Sequence, residues 1–278
     1  METLWVVMRS RNDAWVVEST LQALRQQTLP HRLLVMDNAS TDGTREISLR
    51  YADRLVDVAE GQYVPGRVLN QAMNLVDSSR VIFLNSDCTP QHPECLEELV
   101  RPFEDPQVGA VYGRQQARPD CFPLYVRDTL QMYPDGPAPA WRAAFSMASS
   151  AVRRTTWQQI PFREDLSYSE DIDWSQRVRA AGHQVAYASA SRVMHSHNYT
   201  LAQWFRRQRG EGKADAQMFS FTPWEASFLR YTLLPFARAC WKDWRYCAAR
   251  GEWLWLAKAP LYRAAGSWGR RRGFLEAR

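Results

Sequence analysis

Four polar clusters in this chain carry residue types that can bind or transfer charge, and three of them directly follow short apolar runs. Asn85-Ser86-Asp87 follows Val81 to Leu84, and a carboxylate fixed at a strand end, Asp87, can hold Mg²⁺ or Mn²⁺, hard ions that bind oxygen and bridge diphosphates. Arg9-Ser10-Arg11-Asn12-Asp13 follows Trp5 to Met8, and Asp37-Asn38-Ala39-Ser40-Thr41-Asp42-Gly43-Thr44 follows Leu33 to Met36. In the latter, Asp37 can accept a hydrogen bond from a nucleobase N–H while backbone N–H groups opening the next helix meet ribose or phosphate. The same residues equally make a polar turn in which Thr41 or Asp42 caps that helix. The fourth cluster runs from Ser167 to Trp174, with Ser167 and Glu170 at the spacing of a capping box. Acids in a first helical turn are favoured by the helix dipole whatever their function, so Glu170, Asp171 and Asp173 compete for the role of a single base. Downstream, a neutral imidazole of His195 or His197 can complete a metal site begun by Asp87.

These clusters need a scaffold that gathers strand ends. Up to about residue 115 apolar runs (Trp5 to Met8, Leu33 to Met36, Arg54 to Val58, Val81 to Leu84, Gly109 to Tyr112) alternate with stretches of helical periodicity (Ala14 to Gln27, Thr44 to Ala52, Gly66 to Val76, Glu94 to Phe103). That rhythm builds an α/β fold with a mostly parallel sheet flanked by helices, and ligands bind such sheets beyond the carboxyl ends of the strands. Prolines 119, 123, 134, 137 and 139 predict a long surface loop over 120–140. A run from Phe145 to Val152, a helix over Glu170 to Ala181 closed by Gly182, and a strand over His183 to Tyr187 follow, and the pattern after His197 is helical.

Several function classes are disfavoured. No GxGxxG follows the first strand, and neither GxxxxGK[ST] nor GxSxG occurs, which argues against the usual dinucleotide fold, a P-loop and a serine hydrolase. The net charge of +5 is concentrated at the C-terminus, where residues 224–278 hold eleven Lys or Arg against four Asp or Glu and leave residues 1–223 at −2. No nucleic-acid readout module accompanies that basic segment, so no nucleic-acid partner is expected. The five cysteines lack paired spacing and read as reduced thiols. The first residues run into an apolar strand without the pattern of a signal peptide, and basic residues interrupt the apolar C-terminal stretches, so a cytoplasmic protein without spanning helices is expected.

In order and wording the segments VMDNASTDGT (35–44), FLNSDCTP (83–90), YGRQ (112–115) and SEDIDWSQRVRAAGHQVAYASASRVMHSH (169–197) resemble inverting nucleotide-sugar glycosyltransferases of the GT-A fold, the family-two type of bacterial polysaccharide assembly. The likeness spans about residues 3 to 212, and within it YGRQ and HSHNYT look most like rhamnosyltransferase-like members. The resemblance implies base and ribose contacts for Asn12, Asp37 and Asp42, assisted by Arg11 or Arg67. It implies further nucleotide-sugar contacts for Arg9, Asn38, Asn70, Asn85, Ser86, Arg114 and Glu170. The family's Asp-x-Asp metal motif here reads Asn85-Ser86-Asp87, so only its last carboxylate carries over. Asp87 with His195 or His197 would bind Mn²⁺ or Mg²⁺, and Asp171 matches the general base. The implied reaction moves one sugar from a UDP- or dTDP-sugar, dTDP-rhamnose among them, to a hydroxyl of a glycan or lipid-linked acceptor in cell-surface polysaccharide synthesis. Processive members carry Gln-x-x-Arg-Trp; Gln203 to Arg207 lacks the final Trp, which predicts single-sugar addition. The competing readings are a catalytically silent nucleotide-binding scaffold of the same fold, favoured by Asn85, and a nucleotidyltransferase, disfavoured because Arg9 to Asp13 contains no glycine.

The expected division is a catalytic domain over 1–212 and a helical appendage over 213–278. Six of the twelve tryptophans fall after residue 223 among the basic residues. That composition suits a helix in a membrane interface, docking peripherally on an anionic cytoplasmic face near a lipid-linked acceptor. Packing on the catalytic domain or in a homodimer is the alternative for the same aromatics.

Overall fold

The computed structural model describes residues 3–139 and 144–278, and these divide into two compact units. The first comprises 3–118, 129–139, 144–165 and 170–195; the second comprises 119–128, 166–169 and 196–278.

The first unit is built on an eight-stranded sheet. Strands β1 (Leu4–Ser10), β2 (His31–Asp37), β3 (Arg54–Asp57) and β4 (Arg80–Asn85) are parallel in the order β3-β2-β1-β4. Beyond β4 lie β7 (Ser149–Arg153), β6 (Val108–Gln116), β8 (Gln184–Met194) and the two-residue β5 (Thr89–Pro90). The sheet is therefore mixed: β7 runs antiparallel to both its neighbours, β6 and β8 are parallel, and β5 is antiparallel to β8. Alternation along a strand explains the continuous apolar runs. Val6 and Met8 of β1 join one core with Val35, Ile82 and Leu84, whereas Trp5 and Val7 join another with Leu34, Met36 and Phe83. Both faces of the sheet are thus covered, as parallel strands require.

Helices α1 (Val17–Arg25) and α4 (Cys95–Val100) cover the first face through Leu21, Leu24, Leu96 and Leu99. Helices α3 (Pro65–Leu75) and α7 (Glu170–Ala180) cover the second through Leu69, Met73, Trp174 and Val178. The short α2 (Thr44–Leu49) and α6 (Arg154–Gln159) complete this layer structure. Gly66 has a packing reason, since a Cβ there would stand 1.8 Å from the Arg163 carbonyl oxygen.

Two sequence expectations change at this point. The stretch 120–140 is not one long loop, because Pro123–Met132 forms α5; Pro123 occupies the first helical position, where proline lacks only an N–H that the helix would leave unbonded. Residue 140 lies outside the described residues. The strand expected over His183 to Tyr187 extends to Met194, which carries His195 to the sheet's end.

The second unit is helical. It contains the start of α5, then α8 (Leu201–Met218), a π-helical turn over Phe228–Leu233, α9 (Leu234–Ala249) and α10 (Trp253–Glu276). Helix α8 begins with a complete Thr200/Gln203 capping box and is continuous through residue 212, where the sequence reading places a domain boundary. Helices α8 and α10 approach through glycines: a Cβ on Gly212 would lie 1.9 Å from the Arg270 carbonyl oxygen, and one on Gly273 1.9 Å from that of Arg209. Buried charges link the remaining elements. Asp243, fully buried, pairs with Arg263 at 2.6 Å and Arg127 at 3.1 Å, and Arg263 also pairs with Asp128 at 2.8 Å. Arg270 grips Asp215 with two hydrogen bonds of 2.6 and 2.8 Å, and Tyr231 donates to the same carboxylate.

Candidate active site

The parallel register aligns Arg9 with both Met36 on β2 and Asn85 on β4, so the loops that leave β1, β2 and β4 emerge together. The Arg9 guanidinium joins two regions distant in sequence. Its Nη2 donates to Asn85 Oδ1 at 3.2 Å, and its Nη1 donates to Glu170 Oε1 at 2.9 Å and to Tyr63 Oη at 3.4 Å. Burial alone would lower this group, but Tyr63, Glu170 and Asp171 around it raise it above the ordinary arginine value, so it is a fixed positive charge. Asn85 lies two residues before Asp87, and Glu170 is adjacent to Asp171. The strand that opens at Ser149 ties the same regions from its own side: the Ala148 carbonyl accepts from the Asn85 N–H at 3.0 Å, and the Met147 N–H donates to Asp171 Oδ2 at 3.4 Å. Both carboxylate-bearing loops therefore converge at one end of the sheet.

Asp87 is buried, and its backbone carbonyl accepts from Arg118 Nη2 at 2.6 Å. Its Oδ2 lies 3.5 Å from His195 Nε2. The other ring nitrogen, Nδ1, faces Gln115 Oε1 at 2.7 Å. In the tautomer that donates from Nδ1 to this oxygen, the Nε2 lone pair is directed toward Asp87. A carboxylate oxygen and an imidazole lone pair at that separation suit a shared divalent cation of mixed N/O preference, and Mn²⁺ is one. Asp13, which the sequence pattern does not single out, adds negative charge nearby. Burial raises its carboxyl above the usual range, the hydrogen bond from the Ser86 hydroxyl opposes that shift, and Asp87 repels its charged form. His197 lies in the second unit, its ring tilted against Tyr199 with centroids 5.1 Å apart.

The three acids opening α7 separate into distinct roles. Glu170 belongs to Arg9, and Asp173 is buried against Arg163 at 3.3 Å and Arg177 at 2.8 Å. Asp171 between them is half-buried and is oriented by the Met147 and Ile172 N–H groups. Two acids thus hold the helix start in place, and the third stands at the converging loops.

The donor-binding candidates divide in the same way. Asn12, in the left-handed region at φ 54°, accepts from the Thr41 N–H at 2.8 Å, and its own N–H donates to Ser40 Oγ at 3.1 Å. Asp42 accepts from the Ala14 and Thr44 N–H groups; burial raises its carboxyl, but the hydrogen bonds from Thr44 and Ala14 together hold it below the usual carboxylate range. Asp37 is fully buried and takes hydrogen bonds from Ser10 Oγ, Ser40 N–H and Ser40 Oγ at 2.7 to 3.0 Å. Its carboxylate therefore organises the loop from within. Asn38 is also buried, its N–H on the Ser10 carbonyl, while the Arg11 side chain is exposed. Ser86 is buried with its N–H on the Arg9 carbonyl, which locks the β4 loop to β1. Arg114 is largely buried and pairs with Asp135 at 2.7 Å.

Asn70 requires a correction. Asn70 Oδ1 accepts from Trp157 Nε1 and the Phe162 N–H at 2.9 and 3.1 Å, and its Nδ2 donates to the Phe162 carbonyl and Glu164, both at 2.9 Å. Every hydrogen-bonding position of that amide is occupied, so Asn70 clamps α3 to the segment after α6 instead of meeting a donor. Arg67, one turn earlier, faces Glu164 at 3.6 Å on the same exposed side.

The sequence pattern of Glycosyl transferase family 2 matches residues 5–163. The chain belongs to glycosyl transferase family 2. Among its relatives in this family, the O-antigen chain rhamnosyltransferase WbaN of Salmonella anatum is 30% identical over 231 residues, covering 74% of this chain and 73% of that protein. The O-antigen chain rhamnosyltransferase RfbN of Salmonella typhimurium is 28% identical over 255 residues, covering 82% and 81%. The fold is GT-A. The mannosyltransferase PcManGT of Pyrobaculum calidifontis, solved in complex with GDP-Man and Mn²⁺, superposes with a TM-score of 0.65 at 18% identity over 99% of this chain and 87% of that one. Glucosyl-3-phosphoglycerate synthase of Mycobacterium tuberculosis, solved with Mn²⁺, UDP-glucose and phosphoglyceric acid, gives 0.58 at 18% identity over 80% and 81%.

Proposed function

We propose that the chain transfers a single sugar, with inversion, from a nucleotide-diphosphate donor to a hydroxyl of a glycan or lipid-linked acceptor in cell-surface polysaccharide synthesis. The observation that carries this reading is the Arg9 guanidinium, which joins the loop of Asp87 to the helix turn of Asp171 while Asp87 lies 3.5 Å from the imidazole of His195. A dTDP-sugar, with dTDP-rhamnose first among candidates, is supported by the two rhamnosyltransferase relatives.

In this mechanism Asn12 and Asp42 shape the loop that receives base and ribose, and Asp37 with Asn38 holds that loop from within. The exposed Arg11 is placed to meet the nucleotide. Asp87 and His195 would hold Mn²⁺ or Mg²⁺. When bound, that ion would neutralise the diphosphate as the glycosidic bond breaks, a stabilisation greatest in the transition state. Asp171 accepts the proton of the acceptor hydroxyl as its oxygen attacks the anomeric carbon from the face opposite the diphosphate. Glu170 and Arg9 position that base, and Arg114 borders the sugar. Gln115 fixes the His195 tautomer that presents Nε2 as a ligand.

Incubating the protein with a panel of dTDP-, UDP- and GDP-sugars and acceptor glycans, with Mn²⁺ or with chelator, and measuring released nucleoside diphosphate tests the reading. Metal-dependent release that Asp171→Asn abolishes is the expected result. Nucleotide binding without release from any donor and acceptor pair would favour the silent scaffold instead, for which the asparagine at position 85 of the metal motif is the supporting feature.

A further inference from the structure

Helix α9 carries three stripes. The first, Cys240, Asp243 and Cys247 at spacing i, i+3, i+7, is buried. The second, Ala237, Trp241, Trp244 and Ala248 at spacing i, i+4, i+7, i+11, is exposed, with the two indoles 61% and 44% accessible. Beside it runs an exposed basic stripe, Arg238, Lys242 and Arg245 at spacing i, i+4, i+7. The only acid of α9, Asp243, is buried against Arg127 and Arg263, so no anion offsets those charges on the helix surface.

Helix α10 has the same outward character. One side carries the glycines that meet α8, and the opposite side exposes Leu254, Ala257, Leu261, Ala264, Trp268 and Leu275 at helical spacing. Trp253, which opens the helix beside Leu254, is itself 69% exposed. The indole of Trp244 donates to the Leu256 carbonyl at 2.9 Å and joins the exposed surface of α9 to that of α10. No helix among the described residues is long and apolar enough to cross a membrane.

We propose that the exposed stripes of α9 and α10 dock on the headgroup region of an anionic lipid bilayer. Indole rings partition into the layer between acyl chains and headgroups, and flanking Lys or Arg meet anionic lipid. Charge decides between this occupant and a second copy of the chain, because two copies meeting through α9 would bring their basic stripes together, whereas an anionic surface is complementary to them. The proposal is independent of the sugar-transfer reading and fails or stands separately from it.

The test is flotation of the full-length protein with phosphatidylcholine vesicles with and without phosphatidylglycerol, read alongside tryptophan emission. Wild type is expected to float with the anionic vesicles, with blue-shifted emission and binding that weakens as salt rises. Arg238→Gln with Lys242→Gln and Arg245→Gln should reduce partitioning at least about tenfold. Trp241→Ser with Trp268→Ser, both at exposed positions, should diminish the emission shift while circular dichroism stays native. Absence of wild-type flotation with anionic vesicles, or equal binding to neutral ones, would overturn the proposal. So would a concentration-dependent dimer in sedimentation equilibrium, lost in the tryptophan variant, from a protein that ignores vesicles.

Discussion

The two units solve the problem of burying polar groups in opposite ways. In the sheet unit the interior is apolar, and buried polar residues such as Asp37, Ser86, Asp87 and His195 lie at strand ends or in the loops beyond them. In the helical unit the interior itself is ionic, with Asp243 and Asp215 in arginine grips, while Trp224, Trp241, Trp253 and Trp268 stand outside at 60% to 69% exposure. Charges at the ends of a rigid sheet are preorganised for a ligand. Charges inside a helical bundle mainly fix how the helices assemble. Removing a strand-end carboxylate should therefore cost activity, and removing an interior helical carboxylate should cost stability.

The strongest way to break that contrast is Asp171→Asn. The substitution is nearly isosteric and its one oxygen can keep the 2.8 Å bond from the Ile172 N–H, giving up only the 3.4 Å bond from the Met147 N–H, so thermal stability should fall by no more than about 1 kcal/mol while turnover falls by about 10²- to 10⁴-fold, the usual contribution of a general base. Released nucleoside diphosphate and a melting curve on one preparation measure both. A variant that unfolds, or one that keeps full turnover, removes Asp171 from the catalytic centre. The complementary substitution is Asp243→Ala, which strands Arg263 and Arg127 without their buried partner. A loss of about 3 to 5 kcal/mol is expected, read by urea denaturation. A loss below about 1 kcal/mol would place the stability of the helical unit elsewhere.

Gln115→Leu sharpens the comparison at the boundary between structure and chemistry. Gln115 is buried on β6 with its amide oxygen 2.7 Å from His195 Nδ1, so its removal should weaken Mn²⁺ affinity by about 10- to 100-fold. Titration of metal-dependent turnover and direct calorimetry with Mn²⁺ both read the effect, and an unchanged affinity would leave Gln115 a packing residue. Gly273→Ala acts on the helical side. The new methyl would meet the Arg209 carbonyl, so α8 and α10 must separate, at a cost of about 1 to 3 kcal/mol in unfolding free energy with no change in Mn²⁺ affinity.

The same contrast explains what can be read from the sequence. Strands β1, β2 and β4 are legible because both their faces are buried, which writes an apolar run with a polar cluster at its end. The antiparallel insertion of β7 is not, since Phe145 to Val152 has the same apolar character whichever direction it runs. Proline 123 misleads because the residue that breaks a helix interior also opens one, and only the following register distinguishes the two. At the site, the sequence supplies the residue types of Asp87, Asp171 and His195. It cannot reveal that Asn70 spends its whole amide on Trp157, Phe162 and Glu164, because those partners lie 87 to 94 residues away. Gln115 stands within the YGRQ segment, but its function depends on His195, 80 residues later, and no local spacing announces that pair.

The smallest expected effect is also the most discriminating for the helical unit. Trp268 is 60% exposed on the side of α10 away from its glycines, so Trp268→Ser should change unfolding free energy by no more than about 0.5 kcal/mol. Buried tryptophans behave otherwise: Trp174, fully buried beneath Phe162 and Phe145 with its indole N–H on the Ile160 carbonyl, should cost about 3 to 5 kcal/mol when reduced to alanine. Denaturation of the two variants side by side measures the difference. If Trp268→Ser proved as costly as Trp174→Ala, the outer face of α10 would be part of a folded core supplied by another copy of the chain, and the inversion of polarity between the two units would not exist in solution.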